Sequence, residues 1–340
     1  MFDTSAWFEN LQQYGLSELP VRVHVMELFR ADDESVIGWL HLMQSEVGGP
    51  LQGLSNHYSS LFGPVWSEGR GKEVDWRELV ARIKRLPGAS VVRLQPLAAD
   101  GGFIQGMEGG LRACGYCVDR FFCFGNWYHP VAAGGFDRYW LQRPASLRNT
   151  VERARRRLNR SHVWRIDVLS ESSPALEEGI AAYQRVYAHS WKAPEPNAAF
   201  MPALIRMLAR QGTLRLGMLW LDGEVVAAQV WIVQDRKANI FKLAYRTGCE
   251  SLSVGSVLTA ALMQHVIDVD LVQEVDYLTG DDLYKKDWMS HRRERVGLIA
   301  FDRRRLRGCL AWVRHSAGKV YRRYMPKKTD ARVSVPESTQ

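Results

Sequence analysis

The sequence predicts a mixed α/β fold made of two related units side by side, each a mixed, mostly antiparallel sheet flanked by helices. Three observations lead to this prediction. Both halves alternate helical and strand patterns, 340 residues suffice for two domains, and three strands of the second half follow one another through tight turns. We expect an N-terminal unit over 1–145, a C-terminal unit over 146–325 and a disordered tail over 326–340.

The first half alternates segments whose apolar residues recur at every second position with segments of helical period. An acidic turn between the first two strands indicates a hairpin, and Pro87 and Gly88 end the first helix. The stretch 48–71, rich in glycine and serine, is expected to be irregular. The expected elements are strands at 21–30 and 35–44, a helix at 76–86, a strand at 90–97, a helix at 103–112, a strand at 116–130 and a segment at 136–141 that pairs beside it.

The second half opens with a basic helix and contains an antiparallel meander. Tight turns at Asp222-Gly223 and at Asp235 to Lys237 join the three successive strands, and such turn residues are typical of hairpins. The expected elements are a helix at 146–159, a strand at 163–169, helices around 180–187 and at 198–210, strands at 214–222, 224–234 and 238–248, a helix at 253–269, a strand at 274–278, a short helix at 284–288, a strand at 295–301 and a basic terminal helix.

Composition favours a cytoplasmic protein. The N-terminus carries acidic residues and lacks the basic and apolar segments of a signal peptide, and no run of about eighteen apolar residues predicts a membrane span. Five cysteines, an odd number, do not form a disulfide framework and indicate a reducing compartment. Cys114 and Cys117 form a C-x-x-C motif without a second pair of ligands, so we expect no metal site and instead a helix C-cap at Gly115.

The net charge of +8 favours an anionic partner. The densest basic run lies in the helix that opens the second half, where Arg153, Arg155, Arg156, Arg157 and Arg160 follow one another closely. This run is either a solvated helix face or a surface that binds phosphate or tRNA, and the sequence leaves both interpretations open.

A helix N-terminus directly after a strand is the first candidate binding feature. The loop Ser253 to Ser256 follows the third strand of the meander and opens the helix at 253–269. Helix N-termini expose unpaired amides and a partial positive charge, so they bind phosphate oxygens. Gly255 would let a phosphate approach the backbone, although serines at a helix start more often serve as simple caps.

Several motifs of the second half together resemble the CelD/BcsL-type acetyltransferases, a GNAT-related bacterial family that is also similar to the Fem-type peptidoglycan aminoacyltransferases. The resemblance covers about 146–288, and Val254 departs from it because such proteins usually carry proline there. The matching motifs are L-x-L-D-G-x-x-V-A-A at 219–228, Leu243-Ala244-Tyr245, Ser253-Val254-Gly255-Ser256, and Val275-Asp276-Tyr277 followed by Gly280-Asp281-Asp282-Leu283-Tyr284-Lys285.

The resemblance implies two tandem GNAT-like units and an acyl-CoA donor, most commonly acetyl-CoA, bound by the second unit. The donor's pantetheine would pair with the strand Ile240 to Tyr245, and backbone N–H groups near Lys242 to Ala244 would receive the oxyanion. The donor-binding residues implied in this way are Lys242, Leu243, Ala244, Tyr245, Ser253, Val254, Gly255 and Ser256.

Direct attack on the thioester requires no covalent intermediate and leaves one proton to be managed. Asp276, at the end of its strand, is the expected base, although it can equally cap the following turn. Tyr284 is the expected proton donor to the leaving thiolate or else an ordinary packed aromatic residue. Lys285 is expected to bind an acceptor phosphate or carboxylate or else to lie on the surface. His57 and His129 can reach a cleft between the halves, but no motif places them there.

Three functional hypotheses follow. The first is acyl transfer from acyl-CoA to an amine or hydroxyl of a small metabolite or a polysaccharide precursor. The second is Fem-like transfer of an aminoacyl group from tRNA to a cell-wall precursor, with the arginine-rich helix on the RNA. The third is a catalytically inactive binding protein of the same fold. Hydrolase, kinase and dehydrogenase motifs do not occur.

Overall fold

The computed structural model describes residues 1–16, 20–45, 49–67 and 74–324. A π-helical turn at Leu11–Gly15 and a 3-10 turn at Glu250–Leu252 accompany the strands and α-helices. The strands are β1 (Arg22–Phe29), β2 (Val36–Gln44), β3 (Leu51–Gly53), β4 (Val65–Trp66), β5 (Val91–Ala98), β6 (Tyr116–Pro130), β7 (Trp164–Leu169), β8 (Leu214–Leu221), β9 (Glu224–Gln234), β10 (Lys237–Tyr245), β11 (Glu274–Asp276) and β12 (His291–Asp302). The α-helices are α1 (Ser5–Asn10), α2 (Trp76–Ile83), α3 (Gly102–Ala113), α4 (Gly135–Leu141), α5 (Ala145–Ser161), α6 (Pro174–Ala188), α7 (Phe200–Arg210), α8 (Val254–Asp268), α9 (Lys285–Trp288) and α10 (Leu306–Tyr324).

The strands form one continuous mixed sheet flanked by helices, which confirms the predicted fold class. Their order is β1-β2-β3-β5-β12-β6-β11-β10-β9-β8-β7, with β4 paired to β2. In the described ranges only β3 with β5 and β10 with β11 pair in parallel. The long strand β6 joins the two halves, because it pairs with β12 over most of its length and with β11 at its end.

The strand β12 lies between β5 and β6, among strands of the first 145 residues. The boundary expected between residues 145 and 146 therefore does not divide the sheet, and the division into two units stays a prediction. In the C-terminal half, α6 and α7 cover one face of β8 to β10, and α8 with α5 covers the other. The expected tail at 326–340 lies outside the described residues.

Local turn chemistry explains several boundaries. Asp222 and Gly223 have φ of 50° and 89°, and Asp235 and Arg236 have φ of 51° and 57°, so both hairpins of the meander turn through left-handed residues. Gly115, at φ 85°, follows the end of α3 directly before β6. These positions confirm the turns and the helix end predicted from the sequence.

The segment 136–141 was expected to pair beside β6, but it forms the helix α4. Gly134 and Gly135 both have positive φ and turn the chain away after β6. Phe136 and Tyr139, one helical turn apart, are then buried against the second core, and Asp268 accepts a hydrogen bond from the Phe136 amide at 2.8 Å. The sequence analysis also missed α1, whose Trp7 and Phe8 are buried.

No helix within the described ranges is both long and apolar enough to span a bilayer. All five cysteines are free thiols.

Candidate functional site

The strands β10 and β11 separate after a short parallel pairing. They pair only over Lys237–Asn239 and Glu274–Asp276, and β11 then ends while β10 continues to Tyr245. A β-bulge lies between Ile240 and Lys242. Within the described residues no strand covers this edge of β10 beyond the pairing, so its backbone amides and carbonyls can pair with an extended ligand.

The helix α8 begins beside this open edge. Ser253 adopts a left-handed conformation, with φ 50° and ψ 35°, and in the described structure no side-chain cap covers the helix start. The first three amides, of Val254, Gly255 and Ser256, have no intrahelical acceptor and point out of the helix end. Arg157 of α5 donates to the Ser251 carbonyl at 2.7 Å and fixes the preceding loop. These features make the N-terminus of α8 an anion-binding element.

Val254 and Gly255 play different parts in this element. The Val254 side chain is fully buried in the core, which accounts for an apolar residue at this position. A Cβ added to Gly255 would lie 3.0 Å from Cδ1 of Tyr245, so a side chain here would crowd the Tyr245 ring. The Tyr245 ring packs on Trp191 with a centroid distance of 4.2 Å.

Three neighbouring cavities share lining residues, and we refer to them together as the cleft. The helix cavity, about 620 Å³, is bordered by Gly255, Ser256 and Tyr245. The central cavity, about 260 Å³, shares Lys192, Leu243, Tyr277, Asp282 and Tyr284 with it. The aromatic cavity, about 520 Å³, shares His57 and Thr279 with the central cavity. The cleft therefore extends from the start of α8 to the N-terminal half.

A partly buried carboxylate holds two residues that line the central cavity. Glu195 accepts hydrogen bonds from Tyr58 Oη at 2.6 Å and Lys242 Nζ at 2.7 Å. Burial alone would raise the pKa of Glu195, but the hydrogen bonds from Lys242 and Tyr58 hold it below its usual value. The Lys242 side chain is thus neutralised by an ion pair, and its backbone remains part of the open edge of β10.

Lys192 adds a less compensated charge where the helix and central cavities meet. Burial, and then repulsion from Lys242, lower the pKa of Lys192 to about 8. Its ammonium lies 5.7 Å from the Trp191 ring centroid and 5.9 Å from that of Tyr187. Neither Lys192 nor Glu195 was singled out from the sequence. Both lie in the proline-interrupted loop between α6 and α7, and that interruption was the available signal.

Tyr284 lies where the sequence analysis expected a proton donor, on the border of the helix and central cavities. Tyr284 is 47% exposed, but desolvation of its hydroxyl, and then the charge of Asp282, raise the pKa of Tyr284 to about 12. Its hydroxyl therefore keeps its proton at neutral pH. The ring meets Tyr277 edge to face, with centroids 5.7 Å apart, and this contact fixes its orientation.

Lys285 is buried and holds the loop that carries Tyr284. Its Nζ donates to the Thr279 carbonyl at 2.5 Å and forms an ion pair with Asp282 at 3.1 Å. It borders the central cavity, but its hydrogen bonds are directed into the loop. Ser60 and Thr279 hydrogen-bond across the two halves at 2.7 Å and tie the same loop to the N-terminal half.

Asp276 does not border any of the three cavities. It is fully buried where the two halves meet, and accepts hydrogen bonds from Asn126 at 2.6 Å and the Leu278 amide at 2.7 Å, with Lys237 and Arg293 as ion-pair partners. Although burial would raise it, the pKa of Asp276 is held at about 2 by Lys237 and Arg293. This environment argues against the proton-accepting role expected from the sequence, because the carboxylate is already saturated with donors.

The two histidines left open by the sequence are placed differently. His57 borders both the central and the aromatic cavity and packs on Tyr58, with ring centroids 4.0 Å apart. His129 is buried and hydrogen-bonds Ser290 at 2.7 Å. Only His57 reaches the cleft. The described residues contain no cluster of His, Cys, Asp and Glu side chains arranged to hold a metal ion.

Residues 145–286 match the model of an acetyltransferase (GNAT) domain. The crystal structure of FemX superposes with a TM-score of 0.59 and 11% identity over 88% of this chain and 91% of that chain. The C-terminal domain (DUF2156) of a putative lysylphosphatidylglycerol synthetase from Agrobacterium fabrum superposes with a TM-score of 0.55 and 14% identity. This match covers 94% of this chain and 92% of that chain. The structure of L-PGS from Bacillus licheniformis superposes with a TM-score of 0.51 and 12% identity, over 92% of this chain and 98% of that chain. No curated protein sequence matches the chain.

At these identities the structural matches establish similarity of fold alone. Residues 145–286 are therefore similar to GNAT acetyltransferase domains, and the fold of the chain is similar to those of FemX and of a lysylphosphatidylglycerol synthetase domain.

Proposed function

We propose that this protein is an acyltransferase, related to the CelD/BcsL type, that moves an acyl group from a CoA thioester to an amine or hydroxyl in the cleft. The observation that carries the proposal is the meeting of the α8 N-terminus and the open edge of β10 at one cavity. The N-terminus of α8 can bind a diphosphate, and the open edge of β10 can pair with the amides of an extended pantetheine chain. Together they match the two recognition elements of a CoA thioester.

The N–H groups of Val254, Gly255 and Ser256 would bind the diphosphate, and the edge of β10 would direct the pantetheine past Tyr245 and Leu243 into the central cavity. There the backbone N–H groups near Lys242 to Ala244 would receive the negative charge that develops on the thioester oxygen. The Lys192 ammonium, bordering both cavities, adds positive charge at the same place. This charge stabilisation accounts for most of the expected rate enhancement.

Transfer then needs the acceptor to lose a proton and the sulfur to gain one. Tyr284 is the proposed acid, because it borders both cavities and keeps its proton at neutral pH. Lys285 and Asp282 contribute indirectly, because their ion pair holds the loop that carries Tyr284 in place. Asp276 takes no part in the proton transfer in this proposal. The resemblance suggests a bacterial, cytoplasmic enzyme whose acceptor is a small metabolite or a polysaccharide precursor, with acetyl-CoA as donor.

Replacing Tyr284 with Phe is expected to lower kcat roughly 10²-fold, since general acid catalysis contributes about that much, while KM for the acyl-CoA changes little. The measurement is steady-state release of CoA thiol. An aryl thioester, whose thiolate leaves without a proton, should be affected much less. Tyr14→Phe is the control, because Tyr14 borders none of the three cavities of the cleft. Equal losses with both thioesters would contradict the role of an acid.

Aminoacyl-tRNA is the alternative donor, favoured by the similarity to the FemX fold and by the basic face of α5. Arg153, Arg156, Arg157 and Arg160 of this helix are exposed. Such a face would bind RNA with an affinity that falls steeply with salt.

Thermal unfolding in the presence of candidate donors separates these functions. We expect acetyl-CoA and free CoA to raise Tm, by several degrees at concentrations well above Kd, and tRNA to leave it unchanged at 150 mM salt. A shift with tRNA alone would favour the aminoacyl-tRNA reaction. No shift with any of them would contradict the acyltransferase and favour an inactive binding protein.

A further inference from the structure

The aromatic cavity has a lining unlike that of the rest of the cleft. Phe121, Phe122 and Phe124 of β6 form one wall, and the Phe122 side chain is 55% exposed although it lies in a central strand. Arg93 of β5 packs on this wall, and no acidic side chain borders the cavity. A site with apolar rings and a single cation fits a ligand that has an apolar group and one negative charge.

Arg93 is available to such a ligand. Its guanidinium lies 4.9 Å from the centroid of the Phe121 ring, which holds the side chain in place. Its Nε donates to Gln95 at 3.2 Å, and no hydrogen bond or ion pair occupies its terminal nitrogens within the described residues. A planar guanidinium with two free nitrogens is the group that pairs with a carboxylate in bidentate geometry.

His57 borders both this cavity and the central cavity. The charged groups facing it are Lys242 and Glu195, and Tyr58 packs against its ring. His57 is exposed as a residue, but partial desolvation of its ring, and then the charge of Lys242, lower the pKa of His57, with Glu195 opposing. The imidazole is therefore neutral near pH 7 and able to accept a proton.

We propose that the acceptor is a small primary amine that carries a ring-sized apolar group and a carboxylate, and that His57 is its general base. This proposal rests on the acyl-CoA reaction proposed above. The apolar group would lie on the phenylalanine wall, the carboxylate on Arg93 and the amine at His57. The amine nitrogen bonds to the thioester carbon and the C–S bond breaks. His57 takes the proton of the amine, Tyr284 protonates the sulfur, and an amide and free CoA result.

The test measures kcat/KM with acetyl-CoA and four amines: phenylalanine, phenethylamine without the carboxylate, glycine without the ring, and spermidine. We expect phenylalanine to exceed the other three at least 10-fold. Arg93→Gln should raise KM for phenylalanine about 10-fold and leave phenethylamine unchanged. Arg85→Gln, an exposed arginine outside the cleft, is the control.

The pH profile tests His57 separately. In the wild type, kcat/KM should fall as pH decreases through the lowered pKa of His57, and His57→Gln should lose that limb together with most of its kcat. Lys192, whose pKa is lowered to about 8, contributes at alkaline pH and leaves the acid limb alone. Preference for spermidine or for phenethylamine, with CoA still raising Tm, would overturn this proposal and leave the acyltransferase standing. Absence of CoA binding would overturn both.

An independent observation concerns the outer face of α10. Leu306, Leu310, Val313 and Tyr321 recur at helical spacing on one face and are 76%, 61%, 58% and 64% exposed. The opposite face contacts the sheet, where Asp119 holds His315 at 2.6 Å and Lys319 at 2.8 Å. Nothing in the described part of the chain covers the apolar face.

In the stretch of sequence that contains this face, every charged side chain is positive. From residue 303 to residue 328 the sequence has ten Lys and Arg and no Asp or Glu. Arg314 lies beside the apolar face and is exposed. Two copies that met through this face would bring these like charges together, so the charge disfavours a second copy. An apolar face with basic flanks instead complements an anionic lipid surface.

We infer that α10 binds the surface of a membrane that contains anionic lipids. The test is co-sedimentation with vesicles of phosphatidylcholine alone or with 30% phosphatidylglycerol. We expect binding only to the anionic vesicles, a decrease of about 10-fold in Leu310→Glu with Val313→Glu, and no change in Leu141→Glu, which alters an exposed leucine on α4. Melting curves check that the variants fold. Binding that ignores the lipid charge or survives the double substitution would overturn the inference, as would a wild-type dimer that the double substitution dissociates.

Discussion

Replacing Asp276 with Ala is expected to lower the free energy of unfolding by about 3–5 kcal/mol, because it leaves the buried Arg295 without its ion-pair partner and the buried Leu278 amide without its acceptor. The carboxylate lies between β11, β10, β6 and β12, with Lys237, Arg293 and Arg295 around it. Glu274 compensates two of these cations, but Arg295 has only Asp276 within ion-pair distance in the described structure. The measurement is urea denaturation at pH 7.

The carboxylate of Asp276 also makes the stability of the protein depend on pH. The pKa of Asp276 is about 2 in the folded protein and lies below its ordinary value. A depressed pKa stabilises the fold above the unfolded pKa, near 4, and the contribution is lost as pH falls towards 2. We therefore expect the stability difference between wild type and Asp276→Asn to shrink between pH 5 and pH 2.

Asp167→Ala is the matched control for Asp276→Ala, since it removes a carboxylate from an exposed ion pair with Arg165. Its expected effect is below about 1 kcal/mol. An Asp276→Ala variant that kept wild-type stability and lost only activity would contradict the structural role, and would restore the base expected from the sequence.

Replacing Gly255 with Trp is expected to weaken CoA binding about 100-fold, which is about 2.8 kcal/mol. A Cβ at this position already lies 3.0 Å from the Tyr245 ring, and an indole would occupy the space in front of the helix amides. Gly255→Ala should cost only a few-fold, because the Tyr245 side chain can move by the few tenths of an ångström required. The measurement is isothermal titration with free CoA.

Gly109→Trp provides the control, because Gly109 is exposed on α3 and a Cβ there meets no atom within 4 Å. It should bind CoA as the wild type does. If Gly255→Trp bound CoA with unchanged affinity, the diphosphate would have to bind elsewhere.

The fold could be predicted where its signals are local. The meander β8 to β10 follows from alternating apolar residues and from turn residues at positive φ. The position of β12 between β5 and β6 could not, because that pairing joins residues about 200 positions apart and leaves no pattern in either strand. The helix α4 was mistaken for a strand because seven residues rich in aromatic side chains suit either structure.

The same distinction holds for the site. The proposed donor side lies within one stretch of chain, from β10 to the start of α8. Its motifs can therefore be recognised in the sequence. The proposed acceptor side is assembled from distant segments at 55–60, 93–96, 121–124, 192–195 and 277–285, which only the folded chain brings together. Asp276 was chosen as the base because a strand-end carboxylate is a common catalytic position, and the sequence could not reveal the cations supplied by β10 and β12.

A crystal structure of the protein with bound acetyl-CoA tests the central claim most directly. The account predicts diphosphate oxygens within about 2.7–3.2 Å of the amide nitrogens of Val254 to Ser256, and the thioester in the central cavity beside Tyr284. Acetyl-CoA bound away from α8, or with its thioester outside that cavity, would contradict it.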